Sequence, residues 1–160
     1  LLRAFTFLEV PFAAKNIHDQ HYQLSLFVKN HVSGINLAAN DIGMIDFYSN
    51  TGVIDLYGLA NMDVAGDKFN RRYDPGEIDK ITKRANIKLA IVYETGYEQY
   101  GGLPAGWEKI GEWTMTDHNF VCGYETTAFF SADKSETENL RKLLNGFSEE
   151  LPKSVIYRRY

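Results

Sequence analysis

The stretch NDIGMIDFYSNTGVIDLYGLAN, residues 40–61, constrains the fold of this chain more than any other. The apolar run INLAA, residues 35–39, leads into it and is bounded by Gly34 and by Asn40-Asp41, the pattern of a short buried strand. After the turn NDIG, Ile42, Ile45 and Tyr48 recur at i, i+3 and i+6, which suits two turns of helix. VIDLYG then reads as a second strand. A strand, a turn, a short helix and a strand make a compressed βαβ unit, whose two strands are expected to be parallel neighbours. Three roles are open to such a unit: a nucleotide site, a pair of catalytic carboxylates, or framework.

The flanking sequence extends the same alternation. Upstream, Asn16 followed by Asp19 reads as a helix cap, with Ile17, Leu24, Phe27, Val28 and His31 at helical spacing and Gly34 closing the helix. Downstream, Asp74 as cap, Pro75 at the first helical position and Glu77 in the first turn announce a helix to about Ala85. IKLAIVYE follows as a third buried strand. The charged segment DVAGDKFNRRYDPG, residues 63–76, reads as the loosest part of the chain. GWEKIGEWTM and FVCGYETTAFFS, joined by TDHN, read as an antiparallel hairpin added at one edge. Ser135 and Glu138 form a capping-box pattern before the apolar stripe Leu140, Leu143, Leu144, Phe147 and Leu151, and SVIYRRY supplies a last edge strand. The expected fold is α/β: a compact, three-layer-like domain with a short parallel βαβ core extended by an antiparallel hairpin. With 160 residues, 44% of them hydrophobic, the chain has enough apolar surface for one core, and residues 1–160 read as a single domain.

Composition narrows the chemistry. A formal charge of −4, with basic residues in pairs such as Arg71-Arg72 and Arg158-Arg159, leaves no basic stripe to track a phosphate backbone, so nucleic acid is not an expected partner. The lone cysteine, Cys122, sits in an apolar run and builds neither an intrachain disulfide nor a zinc cluster. His18 and His21 are spaced i, i+3, and metal sites usually take i, i+4 pairs or add an acid. No metal or cofactor is expected. A dinucleotide turn needs G-x-G-x-x-G, whereas NDIGMI supplies one glycine preceded by a carboxylate that repels phosphate. Neither a P-loop nor a G-x-S-x-G elbow occurs. No stretch approaches the ~20 apolar residues that span a bilayer.

Two features remain as ligand-contact candidates. Asp41 lies just beyond the carboxyl end of its strand, where open α/β sheets place ligands, although capping of the following helix is its first expected role. Asp55, inside its strand, is expected to be structural and satisfied by turn amides or by Arg71 or Arg72. YETGYEQYGGLPAGWEKIGEW gathers Tyr93, Tyr97, Tyr100, Trp107 and Trp113 in a Gly-rich segment. Such rings either stack on sugars or anchor a loop to the core, and anchoring is the first expectation.

Asp41-Ile42-Gly43, then VIDLYGL at 53–59 with Ala60-Asn61 after it, resemble a segment in the C-terminal extracytoplasmic part of bacterial integral-membrane glycosyltransferases of the GT-C type, which use polyprenyl-phosphate-linked sugars. NIHDQHYQLSLFVKN, GWEKIGEW and LPKSVIYRR carry the similarity over most of the chain. The resemblance implies a non-catalytic domain outside the cytoplasm, tethered to a membrane enzyme whose catalytic Asp lies in a loop between early membrane helices. Absence of an initiator Met fits a segment of a longer membrane protein. The expected partners are the membrane-embedded portion of the same polypeptide and a glycan or lipid-linked sugar. The expected contacts are Asp41, Gly43, Tyr97 and Trp107, with no catalytic residue in the segment. A free-standing α/β enzyme using a cleft near Asp41, or a glycan-binding module, are the alternatives. Framework is the expected primary role of residues 40–61, with Asp41 and Gly43 making the tight turn and Asp55 and Gly58 fixing the second strand and its exit.

Overall fold

A computed structural model describes residues 2–49 and 51–160, with residues 2–5 described by their backbone alone. Six strands form one sheet in the order β2-β1-β3-β5-β4-β6. β1 (Leu37–Ala39) lies between β2 (Val53–Asp55) and β3 (Leu89–Val92) and runs parallel to both. β5 (Thr126–Ser131) pairs antiparallel with β3, and β4 (Glu108–Met115) lies between β5 and the edge strand β6 (Val155–Arg159). The hairpin therefore joins the parallel core through its second strand. Its connection is longer than TDHN, running from residue 116 to 125, and Cys122 sits in this connection with its side chain buried.

Side chains alternate across the pleat and build a core on each face. Leu37, Ala39, Leu89, Ile91, Trp113 and Phe129 face α2 (Gln23–His31), α3 (Gly43–Tyr48) and α6 (Thr137–Phe147) through Phe27, Ile45, Leu144 and Phe147. Ala38, Ala90, Val92, Ala128 and Phe130 face α4 (Met62–Phe69) and α5 (Pro75–Arg84) through Val64, Ile78 and Ile81. The result is a three-layer α/β domain with a parallel βαβ core and an antiparallel extension. Asp74 caps α5 as its sequence announces, accepting from the Glu77 amide at 2.8 Å.

Several local readings are corrected. Asn16 does not start a helix: α1 (Leu2–Ile17), a π-helical turn (His18–Tyr22) and α2 follow one another without a break. Both ends of the Asn16 amide serve the residue 116–125 connection instead, donating to His118 O at 3.1 Å and accepting from Phe120 N at 2.8 Å. Asp19 is likewise no cap; it is buried and bonded by His18 and Ser154 at 2.9 and 2.5 Å, and by Lys15. Residues 63–76 are not loose, because Asn61 caps α4 by accepting from the Asp63 and Val64 amides. Ser135 turns to Asp133 rather than to the start of α6, and Glu138 pairs with Arg141, so the capping box does not form.

The turn at the heart of residues 40–61 also differs. Asp41 makes no cap to α3, whose N-cap position is Ile42 without a side-chain bond. Gly43 is the first residue of α3 and has open space where a Cβ would stand, so nothing there demands glycine. Gly58 does carry such a demand: its φ is +92°, and an added Cβ would meet Ala65 N at 3.1 Å and Val64 Cγ1 at 3.2 Å.

Candidate functional site

β1 leads through α3 to β2 on one side, and β2 leads through α4 and α5 back across β1 to β3 on the other. The direction of winding thus reverses beside β1, and open α/β sheets hold ligands outside the carboxyl ends of the strands at such a point. A cleft of about 600 Å³ opens there, reached by residues that follow β1, β2 and β3 and by Tyr124 of the β4–β5 connection.

The wall beside β1 and β3 is built by long-range hydrogen bonds. Asn40 Oδ1 accepts from the Tyr93 amide at 2.7 Å, which joins the exits of the two strands. The Tyr93 hydroxyl donates to Gln20 Oε1 at 2.7 Å, and Gln20 Nε2 donates to Tyr124 O at 2.8 Å. Asp41 Oδ2 lies 3.4 Å from both the Tyr93 hydroxyl and His21 Nδ1. The π turn brings Gln20 and His21 to this wall, because its wider helical turn changes the phase at which side chains leave the helix.

The wall after β2 is held by Asp55. Its Oδ1 accepts from the Tyr57 and Gly58 amides at 2.6 and 3.0 Å, and its Oδ2 from the Ala60 amide at 2.7 Å. Turn amides satisfy it, as expected; Arg72 pairs with Asp67 instead. Lys68, from α4, donates to Tyr57 O at 2.8 Å and stands 4.7, 4.9 and 4.9 Å from the ring centroids of Tyr57, Tyr73 and Tyr100. Burial lowers its pKa, an effect partly offset by the charge of Asp55.

Tyr97 enters from the 3-10 turn Glu94–Tyr100 and is 4% exposed. Burial raises the pKa of both Tyr93 and Tyr97, reinforced by Asp41 in the first case and by the Tyr73 phenol in the second, so both remain neutral hydroxyls at physiological pH. The buried Tyr97 hydroxyl lies near that of Tyr73 but meets no partner in hydrogen-bonding geometry among the described residues. Of the four contact candidates, Asp41, Gly43 and Tyr97 share the cleft. Trp107 does not line it and packs on Phe130, ring centroids 6.2 Å apart. Tyr97 is both a core anchor and a cleft residue, so the two expectations for the tyrosines meet in one side chain.

Lys68 carried no motif in the sequence, and Tyr57, Gln20 and His21 stood in blocks noted for a resemblance or a histidine spacing, not for this cleft. The helical spacing from Ile17 to His31 gives no trace of the π turn, and nothing near Lys68 in sequence announces its ring of tyrosines. The cleft therefore offers aromatic faces, neutral hydroxyls, an accepting carboxylate and an ammonium, a set suited to orienting a polyhydroxylated ligand. Acid–base chemistry is poorly provided. Asp55 is committed to three backbone amides, the Cys122 thiol is pushed up to about 11 by burial and by Asp41, and His21 meets Asp41 only at 3.4 Å. Among the described residues no group of three or more His, Cys, Asp or Glu side chains is placed to hold a metal ion.

Comparison with curated proteins gives no match, and comparison with solved structures gives none. A family model described as "Domain of unknown function (DUF8728)" matches residues 15–132. That span covers more than half of the chain and includes every cleft residue named above. The chain belongs to the DUF8728 family.

Proposed function

We propose that this chain is a non-catalytic, glycan-positioning domain that works beside the membrane-embedded part of a glycosyltransferase, outside the cytoplasm. The observation that carries the reading is the cleft at the carboxyl ends of β1, β2 and β3, where tyrosine rings and hydroxyls converge with Asp41. Sugar rings present apolar faces and hydroxyl edges, and this lining complements both.

The membrane-enzyme part of the reading draws on the resemblance of residues 41–61 and their flanking blocks. An apolar surface on α1 supports it: Phe7, Leu8, Val10 and Phe12 are exposed, and Phe12 stacks on Phe120 at 5.8 Å. Among the described residues no helix is long and apolar enough to cross a membrane, so the spanning part of such an enzyme is another segment. The alternative of an enzyme with its own site above Asp41 draws on the His21–Asp41 contact.

Sugar transfer from a polyprenyl-phosphate donor, measured in membranes carrying the full-length protein, tests the proposal. Asp41→Asn is expected to reduce transfer, while Trp107→Phe, outside the cleft, leaves it unchanged. Equal rates for all variants at equal expression reject the contact role. Turnover by the isolated domain rejects the non-catalytic reading and favours the enzyme.

A further inference from the structure

Among the described residues, Lys68 has no anionic partner. Lys15, Lys80, Lys83, Lys88 and Lys109 each pair with a carboxylate; Lys29, Lys134, Lys142 and Lys153 form no ion pair among the described residues but are exposed, whereas Lys68 is half-buried. The carboxylate that influences it, Asp55, already accepts three backbone amides and acts on it through space. An ammonium has three N–H donors, and one of them is used on Tyr57 O. Three tyrosine rings stabilise the charge by cation–π attraction but accept no ordinary hydrogen bond. A partly desolvated cation with donors to spare, lining a cleft, is a site for an anion.

The cleft is also polar in a second sense. Asp41 belongs to the wall of Tyr93 and His21, and Lys68 to the wall of Tyr57, Tyr73 and Tyr100. A ligand spanning them meets an acceptor at one end and a donor cation at the other. Tyr97 contributes its ring to this lining, its hydroxyl being turned into the core beside Tyr73.

We propose that the cleft selects an acidic sugar, a ring bearing a carboxylate or phosphate, with the anionic group on Lys68 and ring hydroxyls turned to Asp41. The inference rests on the glycan-positioning reading and sharpens it. A neutral sugar fits the same tyrosines but leaves the Lys68 donors to water.

Titrating the chain by two-dimensional amide NMR with methyl glucuronide, glucose 6-phosphate, methyl glucoside and inorganic phosphate separates the outcomes. An acidic sugar is expected to bind at least about tenfold tighter than the glucoside, with the preference weakened in about 1 M NaCl. Lys68→Met, which keeps the methylene stem among the rings, removes the preference, and Lys68→Arg retains it. The glucuronide and the sugar phosphate tell a carboxylate from a phosphate as the favoured group. Equal binding of glucoside and acidic sugars by both wild type and Lys68→Met overturns the inference and leaves the glycan reading standing. Inorganic phosphate binding as tightly as glucose 6-phosphate overturns selection of a sugar. Absence of shifts at cleft residues with all four probes overturns the inference and the glycan reading together.

Discussion

The hydroxyl of Tyr93 donates to Gln20 Oε1 at 2.7 Å, joining the exit of β3 to the π turn of the long first helix. Both side chains are buried, so the bond is shielded from competing water. Tyr93→Phe leaves the Gln20 oxygen without its donor and is expected to cost about 1–2 kcal/mol of unfolding free energy. Urea denaturation with an unchanged slope checks this; an unchanged midpoint would show that water replaces the phenol.

Asp55 holds the turn after β2 through three backbone amides. Asp55→Ala strands all three donors and is expected to destabilise the chain by roughly 2–4 kcal/mol, with Asp55→Asn recovering part of the loss. Thermal and denaturant melts of the two variants measure it. A cost below about 0.5 kcal/mol would mean that the turn is held by its own backbone.

For Asp41 the expectation is reversed. Its contacts with Tyr93 and His21 are both 3.4 Å and it caps no helix. Asp41→Ala is therefore expected to change stability by less than about 0.5 kcal/mol, well below the ~1 kcal/mol typical of a lost cap. Chemical denaturation decides between the two.

Gly111 lies where β4 passes under α6 and beside β6. A Cβ there would stand 2.6 Å from Leu144 Cδ2 and 2.7 Å from Tyr157 Cε2. Gly111→Ala is expected to cost about 1–3 kcal/mol through overpacking, read as a lowered denaturation midpoint. Gly43→Ala, with open space around its Cβ, serves as the comparison and is expected to be neutral or stabilising.

Asp19 predicts an acid limb of stability. Burial pushes its carboxyl pKa up, but hydrogen bonds from His18, Lys15 and Ser154 outweigh burial and hold it below the ordinary value. A carboxylate with a lowered folded pKa stabilises fully above its unfolded value of about 4, and that stabilisation is lost as pH falls toward the folded value. The unfolding free energy of wild type should thus fall more steeply than that of Asp19→Asn between about pH 5 and about pH 3. Parallel curves for the two proteins would show that other carboxylates set the acid limb.

Local sequence signals by themselves determined the succession of elements. Strictly apolar runs gave β1 and β3, the Asp74-Pro75-Glu77 cap gave α5, and the stripe Leu140, Leu144 and Phe147 gave α6, because each rests on neighbours within a turn or two of chain. The same locality made Asp55 legible as structural: an acid among apolar residues must find partners, and the following turn supplied them. Only the tertiary structure decided the rest. Asn16 looks like a cap until the 116–125 connection claims both ends of its amide, and Asp41 looks like a cap until α3 begins without it. β5 rather than β4 lies beside β3, a choice of strand pairing that spacing along the chain does not encode. The cleft assembles Asp41, Tyr57, Lys68, Tyr93 and Tyr97 from four separate segments, so its chemistry exists only where the sheet's winding reverses and brings their ends together.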